Sequence, residues 1–158
     1  MTREPGAWNI AGKVLVSACL LGVRCRYDGA ARPVQELMGL EGIYPVPVCP
    51  EQMGGLTTPR PSARIVGGDG EAVLKGTARV IDAEGKDVTM NFLLGAQEVC
   101  ALAAALGVRY AVLKDRSPSC ATSEVWAEGR IGCGMGVTAA MLRGMGVILL
   151  NEFGRRPS

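Results

Sequence analysis

Short aliphatic runs and longer segments of helical period alternate along the chain. The aliphatic runs, rich in valine, isoleucine and leucine, predict four strands, at 13–18, 43–49, 109–114 and 147–150. The strongest helical pattern runs from Asp87, a suitable N-cap, to Gly107, where the helix should end. Shorter helical patterns follow Pro33, at 34–38, and a glycine-rich turn, at 137–143.

The segment between the second strand and the long helix shows neither period in full. Residues 50–62 are rich in glycine and proline and are predicted to form a loop. A small β-excursion around residues 64–81 is predicted from three short runs, at 64–66, 72–74 and 78–81. Two prolines, Pro45 and Pro47, predict that the strand at 43–49 lies at a sheet edge, because proline cannot donate a hydrogen bond to a neighbouring strand.

Strands that alternate with helices predict an α/β fold. We expect a single domain with a mainly parallel, Rossmann-like sheet that is flanked by helices. Residues 13–151 should form this domain, with an N-terminal extension at 1–12 and a C-terminal tail at 152–158. Ligands of such sheets bind at the carboxyl ends of the strands. Functional residues are therefore expected in the loops that follow the strands.

The composition of the chain removes several kinds of chemistry. Among its 158 residues there is no histidine, which excludes Ser-His-Asp triads, Cys-His nucleophile pairs, HExxH zinc proteases and Cys₂His₂ fingers. Any general acid or base must be a carboxylate, lysine, tyrosine, cysteine or water. Glycine accounts for 22 residues, about twice its average share of roughly 7%. Tight turns or close backbone contacts are therefore expected.

The charge balance favours a small-molecule ligand over a nucleic-acid polymer. Lysine and arginine number 17 against 15 acidic residues, which leaves a net charge of +2 without a clustered basic stripe. Before Cys19, only Val14, Leu15 and Val16 form an apolar stretch, which is too short for a signal peptide. No run of apolar residues reaches the roughly 18 that a membrane helix needs. We therefore expect a cytoplasmic protein whose six cysteines stay reduced.

Three cysteines follow predicted strands. Cys19, Cys49 and Cys120 lie at or beyond the carboxyl ends of the first three strands, so they can converge at one edge of the sheet. The sequence contains no Cys-x-x-Cys knuckle of the kind found in zinc ribbons and redox motifs. The spacing leaves two interpretations open, a metal or iron–sulfur site and three unligated thiols. Three protein ligands on a cluster would leave one iron free for substrate.

The other cysteines and a glycine-rich turn carry weaker signals. Cys100 lies on the apolar side of the long helix and is expected to be a small buried hydrophobic residue. Cys25 and Cys133 lie in predicted loops, where structural thiols are the simpler interpretation and additional ligands the alternative. The turn at 132–136 precedes a helix and offers backbone N–H groups to an anion. It reads GxGxG, however, and does not match a dinucleotide-binding fingerprint.

Short motifs around the cysteines resemble those of the thiouracil desulfidase family. The first blocks are SACLLG at 17–22, CRYDG at 25–29 and PVCPE at 47–51. The later blocks keep the order of the family: GGL at 54–56, TPRP at 58–61, GKDVT at 85–89 with Phe92, LK at 113–114, SPSC at 117–120 and GVTAA at 136–140. The resemblance therefore extends over nearly the whole chain.

The resemblance implies a cofactor and a reaction. A 4Fe–4S cluster would be held by Cys19, Cys49 and Cys120, and it would support non-redox, hydrolytic desulfuration of thiolated pyrimidines with release of hydrosulfide. The implied substrates are 2- or 4-thiouracil or 4-thiouridine monophosphate. The catalytic glutamate of the family corresponds to Glu51, and its serine to Ser117. The alternative is a cluster-binding redox or sensor protein without catalysis.

Four further residues are candidates for substrate binding: Tyr27, Asp28, Arg60 and Ser119. They lie in the loops that carry the three cysteines, and these loops should overhang the site. Solvated surface is an equal alternative for the first three. The family often has glycine after its last cysteine, where this chain has Ala121, whose methyl group is expected to alter the turn or narrow the pocket.

Overall fold

Residues 8–157 are described by the structure, which is a computed structural model. In chain order, its elements are β1 (Gly12–Ser17), α1 (Gln35–Met38), β2 (Ile43–Val48), α2 (Pro50–Met53), β3 (Ala63–Val66), α3 (Gly70–Leu74), β4 (Arg79–Asp82), α4 (Thr89–Leu106), β5 (Tyr110–Leu113), β6 (Glu124–Ala127), β7 (Arg130–Cys133), α5 (Val137–Gly144) and β8 (Ile148–Asn151). A 3-10 turn, Ala18–Leu21, directly follows β1.

The main sheet is parallel and has the strand order β2-β1-β5-β8. In this register Val14 of β1 lies between Pro45 of β2 and Tyr110 of β5. β2 is an edge strand, as its prolines predict. The predicted α/β fold, with a mainly parallel sheet flanked by helices, is confirmed.

Successive side chains of β1 fill two apolar clusters. Val14 and Val16 are fully buried in one cluster, whereas Leu15, between them in sequence, is fully buried in another. This alternation follows from the two-residue period of a strand, and a sheet covered on both faces is apolar at every position. A third cluster, which includes Ile65 and Phe92, packs α4 against the second sheet.

The second sheet has the strand order β4-β3-β6-β7. Two antiparallel pairs, β3–β4 and β6–β7, meet through a parallel contact between β3 and β6. The strands predicted at 64–66 and 78–81 correspond to β3 and β4. The strand predicted at 72–74 is wrong, because these residues belong to α3. The Asp69 carboxylate caps that helix by accepting a hydrogen bond from the Ala72 N–H at 3.2 Å.

The sequence pattern does not predict the hairpin formed by β6 and β7. All four residues of β7 are exposed, so the strand has no alternation of buried and exposed side chains. The turn between the strands places Glu128 and Gly129 at φ values of 52° and 75°. The glycine-rich turn predicted at 132–136 therefore begins inside β7.

The long helix α4 has nearly its predicted length. It begins at Thr89, whose N–H donates to the Asp87 carboxylate at 2.9 Å, and it ends as predicted at Gly107, which has a φ of 65°. By length and composition alone α4 is apolar enough to cross a membrane. Phe92 and Val99 are nevertheless buried within the protein. One face of α4 is therefore packed in the core of the protein.

Helix α2 crosses α4 at direct backbone contact. Its residues were predicted to belong to a loop, but Pro50 occupies the first turn of a short helix. A Cβ atom at Gly95 of α4 would overlap the backbone oxygen of Pro50, and one at Gly54 would overlap the backbone oxygen of Asn91. The side-chain amide of Asn91 donates to the Gly54 oxygen at 2.9 Å. These contacts fix α2 on the sheet edge where the second cysteine lies.

Residues beyond the predicted domain boundaries contribute to the core. The boundaries at 13 and 151 remain predictions, and residues 1–7 of the predicted extension lie outside the described range. Trp8 is buried in the apolar cluster that contains Val14. Glu152, in the predicted tail, is also buried and forms an ion pair with Lys114 at 3.0 Å.

Replacing Gly95 with alanine tests the helix crossing. We expect Gly95→Ala to lower the free energy of unfolding by about 2 kcal/mol or more, because its methyl group forces α2 away from α4. Urea denaturation measures this change. Gly144→Ala, in α5, is the control, because a Cβ atom there meets no atom within 4 Å. Similar stabilities for the two variants would contradict the proposed contact.

Candidate active site

A cavity of about 410 Å³ lies at the carboxyl ends of β1, β2 and β5. Cys19, Cys49 and Cys120 all line this cavity, and each belongs to the segment that follows a different strand of the main sheet. Parallel strands direct their carboxyl ends to one edge, which is why residues so distant in sequence meet here.

The three thiols suit an iron–sulfur cluster better than a single metal ion. Within residues 8–157, no three cysteine or carboxylate side chains are grouped so that they could hold one ion. The cysteines of a cluster bind different iron atoms, so they lie farther apart than the ligands of one ion. Cys19, Cys49 and Cys120 are still close enough to influence one another electrostatically. The donor set therefore fits a cluster.

Cys49 ionises most readily of these thiols. A hydrogen bond with the Cys25 thiol lowers the pKa of Cys49 to about 7, and the same bond raises the pKa of Cys25. Cys25 is buried and lines the cavity, and its backbone oxygen lies 3.7 Å from Cys49 Sγ. Of the two thiols, Cys49 is therefore the one that ionises first, and the thiolate is the form that binds metal.

The other two predicted ligands are held as thiols by their surroundings. Burial raises the pKa of Cys19 and raises that of Cys120 to about 12. Positive charge on Arg26 and Lys114 opposes the effect at Cys19, and hydrogen bonds from two serines oppose it at Cys120. Binding of a metal would ionise both thiols, because a coordinated thiol loses its proton.

Both carboxylate oxygens of Glu51 are hydrogen-bonded in the cavity wall. Glu51 lies in α2, where Oε1 accepts a hydrogen bond from Arg60 Nε at 3.3 Å. Oε2 accepts one from Ser119 Oγ at 3.2 Å. Ser119 Oγ also lies 3.6 Å from Cys120 Sγ. One hydroxyl group therefore connects the carboxylate to a predicted cluster ligand.

The guanidinium of Arg60 is directed at protein atoms. Its side chain is only 4% exposed. Besides the contact with Glu51, Nη1 donates to the Thr57 oxygen at 3.0 Å and to Thr58 Oγ1 at 2.9 Å. Nη2 donates to the Cys25 oxygen at 2.9 Å. Arg60 lines the cavity as predicted, but these contacts make it a brace between segments of the site.

Ser117 organises the backbone of the third cysteine loop, the segment 115–120 that carries Cys120. Its Oγ accepts hydrogen bonds from the N–H groups of Ser119 and Cys120 at 3.2 and 3.1 Å. It also lies 3.0 Å from Ser119 Oγ. Ser117 and Ser119 therefore form one hydroxyl pair, in which Ser119 contacts the carboxylate of Glu51.

The third cysteine loop accepts hydrogen bonds from the backbone N–H groups that follow the glycine-rich turn at 132–136. These groups are therefore not open to an anion, contrary to what the sequence suggests. The N–H groups of Val137 and Thr138 donate to the oxygens of Pro118 and Ser119, both at 2.9 Å. A Cβ atom at Gly136 would overlap the Ser119 backbone, so glycine is needed for this approach. The start of α5 therefore supports the cysteine loop.

Of the two remaining substrate-binding candidates, Tyr27 and Asp28, only Tyr27 lines the cavity, as do Glu51, Ser117 and Ser119. Asp28 is not among the lining residues, and its carboxylate accepts a hydrogen bond from the Ala30 N–H at 3.0 Å. Ala121 is also absent from the lining and is fully buried in the third apolar cluster. The pocket is therefore not narrowed directly by its methyl group.

Sequence reasoning did not name Lys114 or Trp126 as site residues, although both line the cavity. Lys114 lies in the LK block, so its position in a motif of the family was the available signal. Trp126 lies on β6, within the hairpin that the sequence pattern does not show.

Comparison with known proteins identifies the family. Residues 14–153 match the family model described as 2-thiouracil desulfurase. The chain belongs to this family. The family membership read from the sequence motifs is therefore confirmed.

Two relatives cover most of the chain. YbbK, an uncharacterized protein of Bacillus subtilis (strain 168), is 39% identical over 143 residues, which represent 88% of this chain and 95% of that protein. A solved structure of the 4Fe-4S-dependent thiouracil desulfidase TudS matches with a TM-score of 0.76 and 38% identity, over 89% of this chain and 91% of that one. The cofactor implied by the sequence motifs is the one on which this structural neighbour depends.

Asp115 holds the start of the third cysteine loop in this desulfurase-family chain. It is buried, and its Oδ1 accepts hydrogen bonds from the N–H groups of Thr122, Ser123 and Glu124 at 3.0 to 3.1 Å. Burial raises the pKa of Asp115, but these hydrogen bonds outweigh burial and leave the pKa below its ordinary value. The charged carboxylate therefore stabilises the fold.

Acid should remove the stabilisation that Asp115 provides. The pKa of Asp115 is lower in the folded state than in the unfolded state. Its contribution to the free energy of unfolding is therefore complete above the unfolded pKa of about 3.9 and is lost as the pH falls through the folded pKa. Asp115→Asn should cost about 2 kcal/mol at pH 7, measured by urea denaturation, and less at acid pH. Asp87→Asn, with an exposed carboxylate, should cost less. An equal loss at both pH values would contradict this account.

Proposed function

We propose that this protein is a 4Fe–4S-dependent desulfidase that converts thiolated pyrimidines to their oxo form. The observation that carries the proposal is the convergence of Cys19, Cys49 and Cys120 on one cavity, beside the hydrogen-bonded carboxylate of Glu51. Membership of the 2-thiouracil desulfurase family and the likeness to TudS support it.

Cys19, Cys49 and Cys120 would hold the cluster. With three protein ligands, a bound 4Fe–4S cluster supplies one open iron, a Lewis acid that attracts the soft sulfur of a thiocarbonyl group. Arg26 and Lys114, which line the same cavity, place positive charge near the thiolates. Their charges offset part of the negative charge that three ionised cysteines bring into a buried site.

The reaction requires water but no electron donor. Water supplies the oxygen that replaces sulfur on the ring carbon, and sulfur leaves as hydrosulfide, so C=S becomes C=O without a change in electron count. Glu51 would accept a proton from the attacking water and return one to the departing sulfur. Ser119, which donates to Glu51 at 3.2 Å, would hold the carboxylate in position. Ser117, paired with Ser119, would hydrogen-bond the ring or the water.

The substrate that we propose is a free base or a mononucleotide: 2-thiouracil, 4-thiouracil or 4-thiouridine monophosphate. The cavity volume of about 410 Å³ is at the small end of the usual range of ligand sites, roughly 300–1,000 Å³, and this space would hold the cluster together with the substrate, which favours a small substrate. The cytoplasm is the proposed location, because thiols and iron–sulfur ligands stay reduced there.

Serine substitutions test the cluster ligands. Protein prepared without oxygen should contain about four irons per chain, and Cys19→Ser, Cys49→Ser or Cys120→Ser should each lose most of this iron, because a hydroxyl rarely ionises. Iron analysis and the visible absorbance spectrum measure the loss. Cys100→Ser, at a buried position outside the cavity lining, should keep its iron.

Cys25 provides the decisive comparison for the open iron. Cys25→Ser should retain the cluster, because the serine hydroxyl can still donate a hydrogen bond to Cys49. If Cys25→Ser lost iron as completely as the three predicted ligands, a fourth protein ligand would occupy the position reserved for substrate. The open-iron mechanism would then be wrong.

Glu51→Gln separates catalysis from cluster binding. The variant keeps its shape but cannot accept a proton, so we expect normal iron content and hydrosulfide release that is about 10²- to 10⁴-fold slower. Iron content and sulfide release from 2-thiouracil should be measured on the same samples. Glu98→Gln, on the exposed side of α4, is the control. Normal turnover by Glu51→Gln would remove this carboxylate from the mechanism, and an inactive but iron-loaded wild type would favour a sensor.

A further inference from the structure

Two partly exposed aromatic residues line the cavity of a chain that contains few aromatics. The sequence has two tryptophans, three tyrosines and two phenylalanines. Tyr27 and Trp126 both line the cavity, and they are 42% and 39% exposed. Aromatic side chains stabilise a fold mainly through burial. The half-exposure of two rings beside the predicted reaction centre therefore points to a ligand that covers them.

The backbone of Trp126 is fixed to the third cysteine loop. Its N–H donates to the Arg116 oxygen at 3.1 Å, and the Arg116 N–H donates to the Glu124 oxygen at 2.7 Å. Arg116 immediately precedes the serine pair, so β6 runs beside the loop that carries Cys120. Val125, the neighbour of Trp126, is buried on the opposite face of the strand. This register directs the indole away from the core.

Tyr27 reaches the same cavity from the first cysteine loop. Its backbone oxygen accepts a hydrogen bond from the Arg60 N–H at 2.9 Å, and Arg60 in turn contacts Glu51. The Arg26 guanidinium lies 5.7 Å from the centre of the Tyr27 ring, within the range of a cation–π contact. The two rings therefore come from separate parts of the fold, and both are anchored to segments that carry predicted site residues.

We propose that Trp126 is a specificity-determining residue that binds the heteroaromatic ring of the substrate by stacking. Every pyrimidine presents a flat π-face, and stacking on an aromatic side chain strengthens binding about 5- to 150-fold per base. The indole gives the cavity an apolar surface that is independent of the iron, so it recognises the ring whether its substituent is sulfur or oxygen. This inference rests on the proposed function, because it assigns the substrate's ring to that cavity.

Packing within the hairpin does not account for the exposure of the indole. Trp126 lies opposite Ile131 of β7, and that side chain is itself 41% exposed. Cross-strand pairs stabilise sheets, but about two fifths of the surface of each of these two residues stays exposed. Ile131 is not among the cavity-lining residues, so it provides a way to disturb the hairpin without removing the ring.

The test compares variants that differ in aromaticity at one position. Trp126→Phe keeps an aromatic face, whereas Trp126→Leu keeps an apolar side chain without one. Binding of uracil, the sulfur-free product, to the iron-loaded protein is measured by calorimetry, and KM and kcat are measured with 2-thiouracil. Trp126→Leu should raise the Kd for uracil and the KM for 2-thiouracil about 5- to 150-fold, with a smaller change in kcat. Trp126→Phe should raise both by less than about 5-fold.

Two controls separate stacking from structural effects. Tyr44→Leu removes an aromatic residue that is 71% exposed on β2, outside the cavity, and should leave both constants unchanged. Ile131→Ala weakens the packing of the hairpin and should also leave the Kd for uracil near its wild-type value. If Ile131→Ala weakened binding as much as Trp126→Leu, the tryptophan would act through the hairpin and the inference would be overturned.

The remaining outcomes distinguish this inference from the proposed function. If the wild type desulfurates 2-thiouracil and Trp126→Leu has unchanged Kd and KM, the stacking role is wrong and the function stands. If Trp126→Phe is as impaired as Trp126→Leu, an aromatic face is not what binds the ring. If the wild type releases no hydrosulfide but binds uracil in a manner that Trp126→Leu abolishes, the ring site stands and the proposed reaction fails.

Discussion

Backbone contact at a few glycines holds the candidate site together. α2 lies against α4 at Gly54 and Gly95, where any side chain would overlap a backbone oxygen. The third cysteine loop lies against the start of α5 at Gly136 under the same restriction. Cys49 and Cys120 reach one cavity because the supporting helices approach this closely. Some of the many glycines therefore serve close packing rather than turns. Because the protein interior is close-packed, a methyl group added at one of these positions would displace the neighbouring segment.

The main sheet was predictable because its two central strands, β1 and β5, are apolar on both faces. Buried parallel strands form continuous aliphatic runs, and β1 and β5 stand out for that reason. The second sheet was only half predictable. Its β7 strand is exposed at every residue and contains a glycine, so burial leaves no pattern in its sequence. The pattern at 72–74 predicts a strand, but these residues form the helix α3, because the Asp69 carboxylate caps its first turn.

The candidate site was predictable where topology determines it. Cysteines placed after consecutive parallel strands must approach one edge, and strand order brings the three together without information on side chains. The partners of each side chain were not predictable in this way. In the sequence, Arg60 and Asp28 are equally good candidates for binding a substrate. In the structure, the guanidinium of Arg60 is buried among protein acceptors, and Asp28 lies outside the cavity lining. Such differences depend on contacts between segments far apart in the chain.

The buried guanidinium of Arg60 couples several parts of the site energetically. Its donors join the carboxylate of Glu51, the backbone beside Cys25 and the turn at Thr57 and Thr58. Groups that share one partner do not vary independently, so double-mutant cycles among them should show coupling energies rather than additive effects. Lysine cannot replace this planar fork of donors. Divergence within this wall of the cavity should therefore proceed through concerted changes, whereas the exposed residues of β7 can change one at a time.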